Sequence, residues 1–137
     1  MKKSVRTAPK AQSASRNWTL FFCVALLAGI GLIYGQTLRF SFVNYDDPEY
    51  IYRNLIVQQG LTWNSIRWAF TTPAIANWHP LTWVSHLIDI ELYGLWPGGH
   101  HLTNILFHAA NSILLFFVLR QMTGAGGPSV FVVALFA

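Results

Sequence analysis

Three carboxylates fall within four residues of one another in Phe42-Val-Asn-Tyr-Asp-Asp-Pro-Glu-Tyr-Ile51: Asp46, Asp47 and Glu49. The chain of 137 residues has only five acidic side chains, so this stretch carries most of its negative charge. Paired carboxylates can supply a general base, because each disfavours ionisation of the other. Such a base suits the removal of a proton from a sugar or peptide hydroxyl. Three cations near it in sequence, Arg39, Arg53 and Arg67, could neutralise a phosphate leaving group. The plainer reading is a polar turn, with Asp47 before Pro48 as a capping residue.

The five histidines allow a different chemistry. His101 and His108 on one helix could ligate haem or a metal, with His79 or His86 as partners. Against this, an i, i+7 spacing leaves about 10 Å between side chains, too far for one ion. Spacing picks out no dedicated metal-ligand set. The single cysteine, Cys23, sits in an apolar run, which excludes an intrachain disulfide and a thiolate cluster.

These residues need elements to hold them, and composition indicates which. The chain is 53% hydrophobic and only 10% charged, with a mean hydropathy of +0.38. A soluble domain is nearer a quarter charged, so an all-α integral membrane protein is expected. Lys2, Lys3, Arg6, Lys10 and Arg16 form a basic tail over residues 1–16, free of acids. An apolar run follows at once, so the tail reads as a disordered cytoplasmic topogenic signal rather than a nucleic-acid-binding arm. Residues 17–35 are expected to be a first spanning helix, with Trp18 and Tyr34 at its two interfaces. A cleaved leader is the competing reading. The length of the basic region and the want of a small-residue cleavage site favour an uncleaved anchor.

Residues 36–99 then form an extracytoplasmic loop. Within it, Trp63, Ile66 and Phe70 predict a short amphipathic helix with Thr62 as its N-cap. Residues 77–93 predict another, opened by Pro80 with Asn77 or His79 as cap, and broken at Gly94. His79, Thr82, His86 and Asp89 share one face of it, and Trp83, Leu87 and Ile90 form the adjoining apolar face. Residues 100–120 predict the second spanning helix. His101, Asn104, His108 and Asn111 form a polar stripe on it that should face other helices or a wet cavity. A third span starts near Ser129 and is cut short by residue 137, so the chain reads as the N-terminal piece of something longer.

The ordered series Phe42 to Ile51 with Asn54, Gly60-Leu-Thr-Trp63, Phe70-Thr71, Asn77-Trp-His-Pro-Leu-Thr82, Gly94-Leu95, His100-His-Leu-Thr-Asn104 and His108-Ala-Ala-Asn111 resembles a known N-terminus. It is similar to bacterial membrane proteins with C-terminal tetratricopeptide repeats, and through them to the transmembrane and tetratricopeptide-repeat O-mannosyltransferases. These belong to the GT-C class of polyprenyl-phosphate-sugar glycosyltransferases. The resemblance covers about residues 20–137.

The resemblance implies a bacterial inner-membrane protein with its N-terminus in the cytoplasm. The expected reaction is inverting transfer of a hexose, mannose in the first instance, from a polyprenyl phosphate to Ser/Thr hydroxyls of a protein acceptor. Asp46 is the implied general base. Asp47 is implied as its modulator, as an acceptor ligand, or as a contact to a divalent metal in metal-dependent members. Glu49, Arg53, Asn54, His79, His101, Asn104 and His108 fall on the substrate side. His79 departs from the family pattern, which tends to have a basic residue before Pro-Leu-Thr. The later helices and repeats lie beyond this piece, which is expected to be inactive alone. Two further readings remain: a non-catalytic anchor presenting the repeats, and a histidine-ligated haem or metal bundle.

Overall fold

The structure is a computed structural model and describes residues 10–74 and 77–137. It is mostly helical, with no strand among the described residues beyond an isolated bridge between Ala74 and Asn77. Among the described residues five α-helices occur in order: α1 (Lys10–Tyr34), α2 (Trp63–Thr71), α3 (Pro80–Tyr93), α4 (Pro97–Thr123) and α5 (Gly126–Phe136). Two segments among the described residues are helical, long and apolar enough to cross a membrane, Asn17–Arg39 and Pro97–Thr123.

Helix α1 starts earlier than the tail-then-span reading expects. Its first residues, from Lys10, continue the helix rather than remaining disordered. Ala, Gln and Arg are good helix formers, and neither Pro nor Gly interrupts the chain between Lys10 and Ala28. Residues 1–9 of the expected tail lie outside the described residues. Helix α4 likewise exceeds the expected 100–120 at both ends, and α5 begins at Gly126 rather than Ser129.

The chain divides into two units. The first comprises the chain up to Ile33 together with Phe107–Ala137. Its interior holds Leu26, Ile30, Ala109, Phe116 and Val133. Phe22 and Phe116 pack with ring centroids 4.7 Å apart, and the Arg120 guanidinium donates to the Thr19 hydroxyl. Two buried serines solve their polarity within their own helices. Ser112 donates to the His108 carbonyl (2.8 Å) and Ser129 to that of Ala125 (2.7 Å), the back-bonding that lets a hydroxyl sit in an apolar seam.

The second unit is Tyr34–Leu106. A 3₁₀ turn (Gly35–Arg39) leads into the acidic loop, which winds through one π turn at Pro48–Tyr52 and a 3₁₀ turn at Val57–Gln59. Helix α2 has the expected cap: Thr62 accepts from the Ser65 N–H at 3.1 Å, and the Ser65 hydroxyl accepts from the Thr62 N–H at 3.0 Å. Helix α3 starts at Pro80, as its missing N–H favours. His79 stands at the cap position but its side chain makes no capping bond. The core is Val57, Ala69, Trp83 and Leu87, flanked by Tyr50, Ile66 and Trp68. The apolar face expected of α3 is therefore the one that is buried.

A tight turn joins α3 to α4. Gly94 ends α3 with φ +60°, a left-handed conformation that side chains resist. Gly98 and Gly99 then let the first turn of α4 lie flush on its neighbours. A Cβ on Gly98 would collide with the Leu38 carbonyl oxygen, and one on Gly99 with the Tyr93 ring.

A buried histidine and carboxylate cluster as candidate site

The acidic loop separates its two aspartates. Asp47 is half-buried, and its carboxylate accepts from the Val43 N–H at 2.6 Å. Asp47 adopts a helical φ of −56° and ψ of −33° although a proline follows, a combination that sterics disfavour. It thus caps backwards, onto the loop before it, and makes no capping bond to the turn after it. Asp46 is exposed, and its carbonyl accepts from the N–H groups of Glu49 and Tyr50. Glu49 and Arg53 are exposed, and the Arg53 guanidinium lies 5.8 Å from the Tyr52 ring centre.

Asn54 has a scaffolding arrangement. Its side-chain oxygen accepts from the N–H groups of Ile56 and Val57, and its amide donates to the Glu49 carbonyl. All three bonds hold the loop together.

Behind the loop lies an aromatic stack. The Tyr50 ring packs nearly parallel to Trp83, with centroids 4.8 Å apart, and to His79 at 5.6 Å. Trp68 closes edge-on against Trp83 at 4.9 Å. His86 follows on the same helix, and its ring is 6.5 Å from that of His100 on α4. The ligating atoms of His86, Asp89 and His100 all lie within 4.8 Å of one another. Asp89 and His100 are each only 3% exposed.

The hydrogen bonds around this cluster are specific. Asp89 Oδ1 accepts from the Thr103 hydroxyl at 2.6 Å. His100 Nε2 lies 3.0 Å from the Gly94 carbonyl oxygen. A carbonyl can only accept, so Nε2 carries the hydrogen. In the neutral ring the lone pair is then on Nδ1, which sits 3.6 Å from Asp89 Oδ2. That separation is too long for a hydrogen bond. Nδ1 of His100 and Nδ1 of His86 are both buried without a hydrogen-bond partner. Burial, then the neighbouring His100, lowers the His86 pKa to about 4, and the Asp47 carboxylate only partly opposes this. Burial raises the Asp89 pKa, against the Thr103 bond and His100.

The polar stripe expected on α4 is only partly turned inward. His101 is half-buried with Nε2 unpartnered, whereas Asn104 and Asn111 are exposed. In the other unit, the His108 ring lies 3.1 Å from the Ala137 carbonyl oxygen and beside the Phe136 ring. His101 belongs to the second unit and His108 to the first. In the second unit His100 is the buried histidine of α4, and the half-buried Thr103 turns its hydroxyl to Asp89. One residue turns the helix by about 100°, and the close approach at Gly98 and Gly99 sets which side faces in.

Helical spacing puts Asp89 on one face with His86, but it leaves His100 and Thr103 off the polar stripe of α4. A signal for them exists: His86 and Asp89 are three apart, His100 and Thr103 are three apart, and a glycine turn lies between the pairs. Comparison with protein-family models, curated proteins and solved structures finds no match for this chain.

Proposed function

We propose that the chain is the N-terminal part of a GT-C membrane glycosyltransferase, which uses a polyprenyl-phosphate hexose to modify protein Ser/Thr hydroxyls. The observation that carries this reading is the unequal pair in the acidic loop: Asp47 is tied to the Val43 N–H, while Asp46 is exposed beside it. In this reading Asp47 sets the shape of the loop and Asp46 does the chemistry. Asp46 takes the proton of the acceptor hydroxyl as its oxygen attacks the anomeric carbon. The bond from that carbon to the phosphate oxygen breaks, the configuration inverts, and the lipid phosphate leaves. Arg39, Arg53 and Arg67 are exposed and suited to meeting its charge.

Two further features support the reading. The segments Asn17–Arg39 and Pro97–Thr123 bracket the loop with helices fit for a bilayer, so residues 36–99 face the outside if the basic tail stays in the cytoplasm. An open apolar groove of about 440 Å³ runs along Phe70, Trp78, His79, Pro80, Leu81 and Thr82, which suits a prenyl chain. The test is Asp46→Asn in the full-length protein, with transfer from a polyprenyl-phosphate sugar measured in membranes. Transfer should fall by about 10²- to 10⁴-fold, as loss of a general base predicts, while membrane insertion is unchanged. Unaltered transfer removes Asp46 from the mechanism.

A further inference from the structure

We propose that His86, Asp89 and His100 form a binding site for one divalent transition-metal ion of the zinc type, each giving one ligand atom. The site does not use Asp46 or Asp47, and it stands whether or not the chain is a transferase.

His100 Nδ1 and a carboxylate oxygen of Asp89 face each other, and a ring nitrogen of His86 lies within 4.8 Å of both. The bond to the Gly94 carbonyl leaves the His100 Nδ1 lone pair aimed toward the Asp89 carboxylate. Two electron-rich atoms facing each other in a buried site repel unless a proton or a metal ion lies between them. The 3.6 Å separation of His100 Nδ1 and Asp89 Oδ2 is longer than a shared proton would draw them. It is close to the roughly 3.3 Å that neighbouring ligands of a tetrahedral ion adopt at bond lengths of about 2.0–2.1 Å. A ring nitrogen of His86 supplies the third atom, within 4.8 Å of the other two, and the Nδ1 of that ring is buried and without a hydrogen-bond partner.

The outer contacts have the form that metal sites use. A ligating histidine commonly donates its other ring N–H to a carbonyl, and a ligating carboxylate is itself hydrogen-bonded. Gly94 does the first for His100 and Thr103 the second for Asp89. Thr103 bonds Oδ1, which leaves Oδ2 for the ion. Two imidazoles and one carboxylate favour zinc-like ions over magnesium or calcium. Three protein ligands also leave a position for water or an oxyanion.

The test uses the whole chain in detergent, purified without a histidine tag and stripped with chelator. Titration with Co²⁺ should give one bound ion with visible d–d absorption, displaced by Zn²⁺. Asp89→Asn and His100→Gln should abolish uptake, and Glu91→Gln, an exposed acid on the same helix, should leave it intact. Thr103 is a positioning residue: Thr103→Val should weaken Co²⁺ binding by about 10- to 100-fold, and Thr103→Ser should restore it. Absence of Co²⁺ and Zn²⁺ uptake by the unmutated protein overturns the site, as does uptake that survives Asp89→Asn and His100→Gln. If those two variants fail to fold, the Thr103 pair decides. Unchanged affinity in Thr103→Val counts against the site, and loss with recovery in the serine variant supports it.

Discussion

Trp83 is fully buried and packs against the rings of both His79 and His86. Tyr50 and His79 stack on it, and Trp68 and His86 meet it edge-on. Its removal leaves a void that four rings cannot all fill. Trp83→Ala should destabilise the second unit by about 3–5 kcal/mol, read as a drop in the thermal midpoint in detergent. Trp83→Phe, which keeps the stack against Tyr50, should lose much less. At this scale the sequence was informative about residue type and less so about partners. The adjacency of Asp46 and Asp47 was plain. That one is tied down and the other free depends on the Val43 N–H four residues back, a bond that competes with the steric rule against a helical residue before proline.

At the scale of elements, local signals were strong where they are self-contained. Thr62 caps α2 with Ser65, Pro80 opens α3, and Gly94 closes it; each signal lies within a few residues of its effect. The inward side of α4 was not legible in this way. Several stripes fit its polar residues, and the stripe through His101 and Asn104 is as regular as the one through His100 and Thr103. Tertiary contact at Gly98 and Gly99 decides between them, and periodicity carries no record of it. Gly98→Ala places a methyl against the Leu38 carbonyl and should displace the start of α4. The expected outcome is a lower thermal midpoint together with loss of Co²⁺ uptake. Gly127→Ala meets nothing within 4 Å and should leave both unchanged.

For the whole molecule, composition gave the class: few charges, many aromatics, and helices fit for a bilayer. The long exposed apolar side chains on α1, such as Leu20, Phe21, Val24 and Leu32, are what a lipid-facing helix should carry. The proposed orientation rests on the basic tail and can be tested directly. Cys23 is the only cysteine, so a Cys23→Ser background allows single-site labelling in intact cells. A cysteine replacing exposed Asn64 should react with a membrane-impermeant maleimide from outside. One replacing exposed Thr123 should react only after lysis. Labelling of the Thr123 position in intact cells, with protection of the Asn64 position, would invert the topology and with it the proposed placement of the acidic loop.

The turn between α3 and α4 counts residues as well as bending the chain. Insert one amino acid after Leu95, and Gly99 moves to where the His100 ring now lies. Delete one, and the His100 ring is driven toward the Tyr93 ring while His101 takes the place beside Asp89. Neither edit keeps both the flush contact and the imidazole in register. Variation tolerated by this hinge should therefore change the identity of Leu95 or Trp96 and leave the number of residues from Asp89 to His100 untouched.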